Sequence, residues 1–164
     1  MKKSKNKSEM KLERERSNPF KEAVECTPDI AGGYCMGLRA MGNNSKRVQI
    51  VDTELLRGSV DIDGMVKDKY PEEARWDYVI GYGQHAYFVE VHSAETSEVK
   101  MVLAKFGWLR NWLKTQAPEL AKMKSSVNTF VWIPSGRVNI LPGSPQAMRL
   151  NQSGLKLMPV LKLK

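Results

Sequence analysis

The sequence predicts a single domain of the mixed α/β type (α+β), in which a mostly antiparallel or mixed central sheet is flanked by helices. Three observations favour this class. The chain of 164 residues, with 41% apolar and 27% charged residues, has the size and composition of one soluble globular domain. Short apolar stretches of alternating polarity occupy its first half, and one long stretch with helical spacing follows them. Further strand-like stretches come after that helix, so the sheet continues beyond a crossover.

The N-terminal part of the chain has three predicted segments. Residues 1–18 are predicted to be a disordered basic tail, and residues 19–164 to be the folded domain. The stretch PFKEAVECTPD predicts a short amphipathic segment. Asp29 can then cap a helix over residues 30–41, whose internal glycines weaken it.

The strands are predicted from alternating runs of apolar residues. Four such runs precede the long helix: RVQIVD, LRGSVDID, WDYVIGY and AYFVEVH. The long helix covers residues 96–116, where apolar residues recur every three or four positions and Thr96 or Ser97 can cap the first turn. After it come strands NTFVWIP and RVNILPG, predicted to join in a turn at Ser135-Gly136. A short helix capped by Ser144 and a last strand, LMPVLKL, complete the chain.

The net charge of +8 is concentrated at the two ends of the chain. Residues 1–21 carry eight Lys and Arg against three Glu, residues 156–164 carry three Lys, and the region between them is balanced. Such a tail can bind phosphate through counterion release, or it can be a solvated leader. No apolar run is long enough for a membrane span or a secretory signal, which predicts a cytoplasmic protein. The oligomeric state stays open.

The Gly83-Gln84 pair between two strands is the basis of the functional prediction. A Gly-X pair is typical of a two-residue type II′ hairpin turn, which would place Asp77 directly opposite Glu90. Two carboxylates so placed repel one another unless the face is solvated, one acid is protonated or a cation lies between them. Mg²⁺ favours such carboxylates, so the pair is a candidate metal site. The other face is wholly apolar and is predicted to be core: Trp76, Tyr78, Ile80, Tyr82, Tyr87, Val89 and Val91.

This pattern resembles the PD-(D/E)xK nuclease superfamily. An Asp on one strand is followed by FVEVH on the next, similar to the Glu-x-Lys strand of that family, and the element order is similar over roughly residues 28 to 133. The resemblance implies a restriction-endonuclease-like fold with Asp77 and Glu90 as ligands of Mg²⁺ or Mn²⁺. His92 stands where the family has the Lys that assists the attacking water, and Trp76 stands where it has Pro. The stretches WDY, FVEVH and TSEV also resemble short bacterial proteins of unassigned role.

The function expected from this resemblance is metal-dependent hydrolysis of phosphodiester bonds in nucleic acid. Asp77, Glu90 and His92 are the candidate catalytic residues. Asp61 or Asp63 could add a third metal ligand. The alternative is a catalytically inactive module of the same fold that binds nucleic acid or a protein partner, because His replaces Lys and the middle of the chain is neutral.

The remaining candidates have a competing structural interpretation. Lys100, Lys105 and Arg137 could contact phosphate, although a solvated helix face for the two lysines and a hairpin turn for Arg137 are the favoured interpretations. Other enzyme classes are disfavoured, since the chain has no GxSxG elbow, P-loop or GxGxxG motif before a helix. Cys26 and Cys35 have no zinc-binding spacing and are predicted to be idle thiols.

Overall fold

The computed structural model describes residues 6–164 and confirms the α+β class. Six α-helices have the bounds α1 Lys7–Arg16, α2 Pro19–Glu25, α3 Ile62–Val66, α4 Val99–Thr115, α5 Pro118–Ala121 and α6 Pro145–Ser153. Seven strands have the bounds β1 Val48–Ile50, β2 Leu56–Asp61, β3 Tyr78–Tyr82, β4 His85–Glu95, β5 Phe130–Asn139, β6 Lys156–Leu157 and β7 Leu161–Leu163. Short 3₁₀ turns connect several of them, at Pro28–Ile30, Arg39–Arg47, Thr53–Leu55 and Thr96–Glu98.

The central sheet is mixed and has the strand order β2-β3-β4-β5-β6. The pairs β2–β3 and β3–β4 are antiparallel, whereas β4–β5 and β5–β6 are parallel. Helix α4 makes the crossover that parallel pairing of β4 and β5 requires. A second, two-stranded sheet pairs β1 with β7 in parallel.

Both faces of the central sheet are buried. One face packs against helices including α2 and α4, and its core contains Phe20, Val79, Phe88 and Phe106. The other face, with Ile80 and Val89, belongs to a second core that also includes residues of β1 and β7. The face of Asp77 and Glu90 is therefore not a solvated surface, and these acids sit beneath helices.

The predicted hairpin is confirmed. Strands β3 and β4 pair from Tyr82 opposite His85 to Tyr78 opposite Val89, and Gly83 has a φ of 60°, as the first position of a type II′ turn requires. Trp76 is an exception to the predicted alternation. It precedes β3 and packs in the same core as Val79.

Three element predictions were wrong. The last predicted strand, LMPVLKL, is divided between β6, which ends at Leu157 in the central sheet, and β7, which begins at Leu161 in the second sheet. Residues 30–41 do not form a helix, because Gly32 and Gly37 adopt positive φ values of 86° and 58° that interrupt helical geometry. The predicted turn at Ser135-Gly136 is instead a register irregularity within the continuous strand β5. Here Arg47 donates hydrogen bonds to the carbonyls of Pro134 and Ser135, at 3.2 and 3.3 Å.

The N-terminal tail also differs from expectation over part of its length. Helix α1 covers Lys7–Arg16, a stretch rich in Lys, Glu and Arg, which are good helix formers. Residues 1–5 of the tail lie outside the described residues. Among residues 6–164, no helix has both the length and the apolar content needed to cross a bilayer.

Candidate active site

Asp77 and Glu90 lie side by side at the entrance to β3. The backbone N–H of Asp77 donates to Oε2 of Glu90 at 3.1 Å, and the backbone N–H of Val91 donates to Oδ2 of Asp77 at 3.0 Å. Each carboxylate therefore accepts a hydrogen bond from the strand that carries the other. We call this pair of bonds the reciprocal brace. It uses one oxygen of each acid and leaves Asp77 Oδ1 and Glu90 Oε1 for another partner.

That partner is the ammonium group of Lys105, on α4. Its Nζ lies 3.4 Å from Oδ1 of Asp77 and forms a direct ion pair with Oε1 of Glu90. Lys105 reaches the sheet because α4 turns its apolar stripe, including Val102 and Leu109, towards the core. The repulsion between the two acids is thus relieved by a cation of the protein itself.

The three side chains are mostly out of solvent. The exposed fraction is 0% for Glu90, 16% for Lys105 and 21% for Asp77. Burial and the neighbouring Asp77 raise the pKa of Glu90 to about 8, against the opposing effect of Lys105. Burial also raises the pKa of Asp77, and Lys105 opposes this. Burial disfavours the charge on Lys105, but Glu90 and Asp77 outweigh it and raise the lysine pKa.

The raised pKa of Glu90 determines how often this side chain carries a proton near neutral pH. With a pKa of about 8, Glu90 holds a proton for much of the time at pH 7 and pairs with Lys105 as a carboxylate for the remainder. A divalent cation that bound both carboxylates would release the proton of Glu90.

Beside this site is a cavity of about 520 Å³, which we call the acidic cavity. Five acids and two cations line it, together with His92, Ala74 and Met101: the acids are Asp63, Glu72, Glu73, Asp77 and Glu98, and the cations are Arg75 and Lys105. Glu90 is fully buried and adjoins three residues of the cavity wall: Lys105, His92 and Asp77. The wall as a whole is negative and attracts cations.

His92 lies next to the site on the same face of β4 as Glu90. Its Nε2 is 2.8 Å from Oε2 of Glu98, and its Nδ1 is 3.8 Å from Oε1 of Glu90. A carboxylate only accepts hydrogen bonds, so the bond to Glu98 places a proton on Nε2. In the neutral ring, Nδ1 is then the proton acceptor and lies on the side of Glu90.

The other candidate ligands are placed differently. Asp61 caps α3, accepting a hydrogen bond from the N–H of Gly64 at 2.9 Å. Asp63 lines the acidic cavity but is paired with Arg75, whose Nε lies 2.7 Å from Oδ1. A third carboxylate is thus near Asp77, and it comes from Asp63 rather than Asp61.

The three candidate phosphate contacts do not lie together. Lys105 is the centre of the ion-paired site, whereas Lys100 and Arg137 are exposed side chains outside the set that lines the acidic cavity. The sequence does indicate the role of Lys105. The interpretation of Lys105 as a solvated residue overlooked this indication. Lys105 lies three residues after Val102 and four before Leu109, so it interrupts the buried stripe of α4. A lysine at such a position needs an acidic partner.

The donor set for a metal ion is limited to the acid pair. In the part of the chain whose side chains are described, residues 6–12 and 17–164, no group of three or more His, Cys, Asp or Glu side chains is arranged to hold a metal ion. Comparison of the chain with family models, with curated proteins and with solved structures gives no significant match. The fold and the site define an α+β domain with a buried Asp–Glu–Lys cluster, and the geometry of this cluster is the basis for proposing a function.

Proposed function

We propose that the protein is a phosphodiesterase that acts on nucleic acid and depends on Mg²⁺ or Mn²⁺. The observation that carries the proposal is the convergence of Asp77 Oδ1 and Glu90 Oε1 on one cation beside an acidic cavity. The reciprocal brace fixes both carboxylates, so their free oxygens are oriented before any ligand arrives.

The acid pair fits a hard divalent ion in its chemistry. Mg²⁺ commonly binds through one or two carboxylates and takes its other ligands from water and substrate phosphate. Asp77 and Glu90 would hold the ion, after the Lys105 ammonium group moves away from Glu90. A bound ion supplies Lewis-acid stabilisation of the negative charge on the phosphodiester.

The chain's own residues have separate roles in this proposal. Lys105, displaced from the acids, offers its ammonium group to a phosphate oxygen in the acidic cavity. His92 is oriented by Glu98 and accepts a proton at Nδ1 from the attacking water. A bound ion would displace the proton of Glu90, because burial and the charge of Asp77 raise the pKa of Glu90 and a further positive charge would lower it.

One observation favours a second candidate function. Lys105 already satisfies both carboxylates, and such a cluster can be a purely structural ion pair. The protein would then be a non-catalytic module that binds nucleic acid or a protein partner.

Cleavage assays separate the two candidates. Fluorescently labelled DNA and RNA, single-stranded and duplex, are incubated with Mg²⁺, Mn²⁺ or EDTA. We expect cleavage that requires the metal ion and that Asp77→Asn and Glu90→Gln each abolish, while thermal melting shows that both variants fold. Lys100→Gln is the matched control and should cleave like the wild type. Absence of metal-dependent cleavage on all four substrates refutes the phosphodiesterase and leaves the non-catalytic module.

Binding of the metal ion alone gives an independent measurement. Titration with Mn²⁺ in a calorimeter should give a saturable signal for the wild type and none for Glu90→Gln. Because the ion must displace a proton from Glu90, affinity should rise about tenfold per pH unit below the Glu90 pKa of about 8. A Mn²⁺ affinity that is independent of pH between 6 and 8, at about constant ionic strength, contradicts the assignment.

A further inference from the structure

A second cavity lies on the opposite flank of α4. It has a volume of about 660 Å³ and is bounded by α4, α5, the start of β5 and the end of α6. Its lining consists of Phe106, Arg110, Asn111, Leu113, Lys114, Ala121, Lys124, Phe130, Ser153 and Gly154. We call it the basic cavity. Lys105 and Arg110 are five residues apart, which places them about 140° apart around the helix. The basic cavity is therefore distinct from the acidic one.

The charged residues of the basic cavity are all of one sign. Arg110, Lys114 and Lys124 are its charged residues, and no acid is part of the lining described. Among the side chains that the structure describes, those of residues 6–12 and 17–164, none of these three cations forms an ion pair with a carboxylate, whereas nearby Lys122 pairs with Glu119 at 2.8 Å. Arg110 and Lys114 are four residues apart on one helix face, where like charges repel. An anion in the cavity would relieve that repulsion.

The floor of the basic cavity is aromatic. Phe106 and Phe130 meet edge to face with ring centroids 5.0 Å apart, and the guanidinium carbon of Arg110 lies 5.4 Å from the Phe106 centroid. Leu113 adds a further apolar surface, and Asn111 and Ser153 add polar groups to the rim. A ligand that fits has a flat apolar part and a separate negative charge. The volume lies within the usual range for sites that bind such molecules.

We propose that the basic cavity binds a nucleotide of single-stranded nucleic acid. Its phosphates contact Arg110, Lys114 and Lys124, and an unpaired base lies against Phe130 on the aromatic floor. The choice of nucleic acid as the ligand rests on the proposed function. The present proposal adds that the substrate of that function is single-stranded. A duplex has the same phosphates but keeps its bases stacked inside, so it reaches the cations and not the floor.

The experiment measures binding without cleavage. Fluorescence anisotropy is recorded in EDTA with a labelled single-stranded oligonucleotide of about 12 nucleotides and with its duplex. The triple variant Arg110→Ala/Lys114→Ala/Lys124→Ala should bind the single strand about tenfold more weakly than the wild type. For this variant, the slope of log affinity against log salt concentration should be smaller in magnitude by about 2. Each of the three lost phosphate contacts contributes about 0.7 to this slope on a single strand. The wild type should bind the single strand more tightly than the duplex.

A matched control separates the cavity from net charge. Arg39→Ala/Lys46→Ala/Lys162→Ala also removes one Arg and two Lys, at exposed positions outside the basic cavity. It should weaken binding by less than about threefold, through long-range electrostatics alone. Equal losses in the two triple variants, or equal wild-type affinity for single strand and duplex, would overturn the proposal.

The outcome is independent of catalysis. Binding is measured in EDTA, where no metal-dependent cleavage occurs, and the acid pair lies outside the basic cavity. If the wild type shows cavity-dependent binding but no metal-dependent cleavage, the phosphodiesterase proposal fails and the binding site stands. If it cleaves but the two triple variants bind alike, the opposite holds.

Discussion

The two cavities on either side of α4 differ in how their charged side chains are compensated. In the acidic cavity, the most buried charges are compensated, since Lys105 contacts both Asp77 and Glu90. In the basic cavity, Arg110 and Lys114 lie on the solvent side of the same helix without a carboxylate partner among the described residues. Water screens the exposed cations, whereas the buried acids have only the protein to stabilise them.

The difference shows what each region contributes to stability. A buried ion pair is costly to break, because the remaining charge cannot be solvated. An exposed cluster of like charge costs only a few tenths of a kcal/mol, which a fold can tolerate. The acidic site is thus tied to folding, and the basic cavity is free to serve a ligand.

The largest effect is expected for Lys105→Met. The substitution keeps the unbranched apolar part of the side chain but removes the cation between two buried acids, so the free energy of unfolding should fall by about 3 kcal/mol at pH 7. Urea denaturation followed by circular dichroism measures the loss. The control is Lys100→Met on the exposed face of the same helix, which should change stability by less than about 0.5 kcal/mol. Equal stability of the two variants would show that the cluster is not coupled to folding.

The second effect concerns the pH dependence of stability. The pKa of Glu90 rises from its ordinary value of 4.5 to about 8 on folding, so the folded state holds the proton more tightly. Stability from this group is therefore complete below pH 4.5 and is lost as the pH rises through 8. Since each pKa unit is worth about 1.4 kcal/mol, the total decline should amount to a few kcal/mol.

Glu90→Gln tests this expectation, because glutamine keeps an acceptor for the N–H of Asp77 but does not titrate. The decline in unfolding free energy between about pH 5 and 8 should be much smaller in the variant than in the wild type. Urea denaturation at several pH values gives both curves. Parallel curves would mean that Glu90 ionises normally in the fold.

The smallest effect is expected in the basic cavity. Lys114→Gln removes the repulsion with Arg110 and should stabilise the protein by about 0.3 kcal/mol at low salt, with less gain at high salt. Lys122→Gln is the contrasting variant, since Lys122 pairs with Glu119 and its loss should be neutral or slightly destabilising. Thermal melting at two salt concentrations compares them. A loss of stability in Lys114→Gln would indicate that Lys114 has a structural partner.

Much of the fold follows from local sequence patterns. The alternation in β3 and β4, the Gly83-Gln84 turn and the spacing of apolar residues in α4 each specify an element by themselves. The failures lie where geometry depends on distant contacts. The turn predicted at Ser135-Gly136 shows this, because β5 continues through it where Arg47, distant in sequence, donates hydrogen bonds to the carbonyls of Pro134 and Ser135.

The candidate site was predictable in part for the same reason. The turn fixes the register, so the adjacency of Asp77 and Glu90 could be calculated from the sequence. Lys105 comes from a helix that crosses over the sheet, and its position depends on how α4 packs. The sequence left open whether solvent, protonation or a cation relieves the repulsion, and the interruption of the apolar stripe of α4 by Lys105 was its one indication of a cation. The basic cavity depends on four separate elements and had no local signature.

The reciprocal brace gives Asp77 and Glu90 a structural role in the hairpin. Their side chains complete the last rung of the β3–β4 ladder, at the point where main-chain pairing stops. Replacing either by alanine would strip an acceptor from a main-chain amide of the neighbouring strand as well as a charge from the centre. Selection for a stable hairpin alone would then preserve both acids, whether or not the site is catalytic.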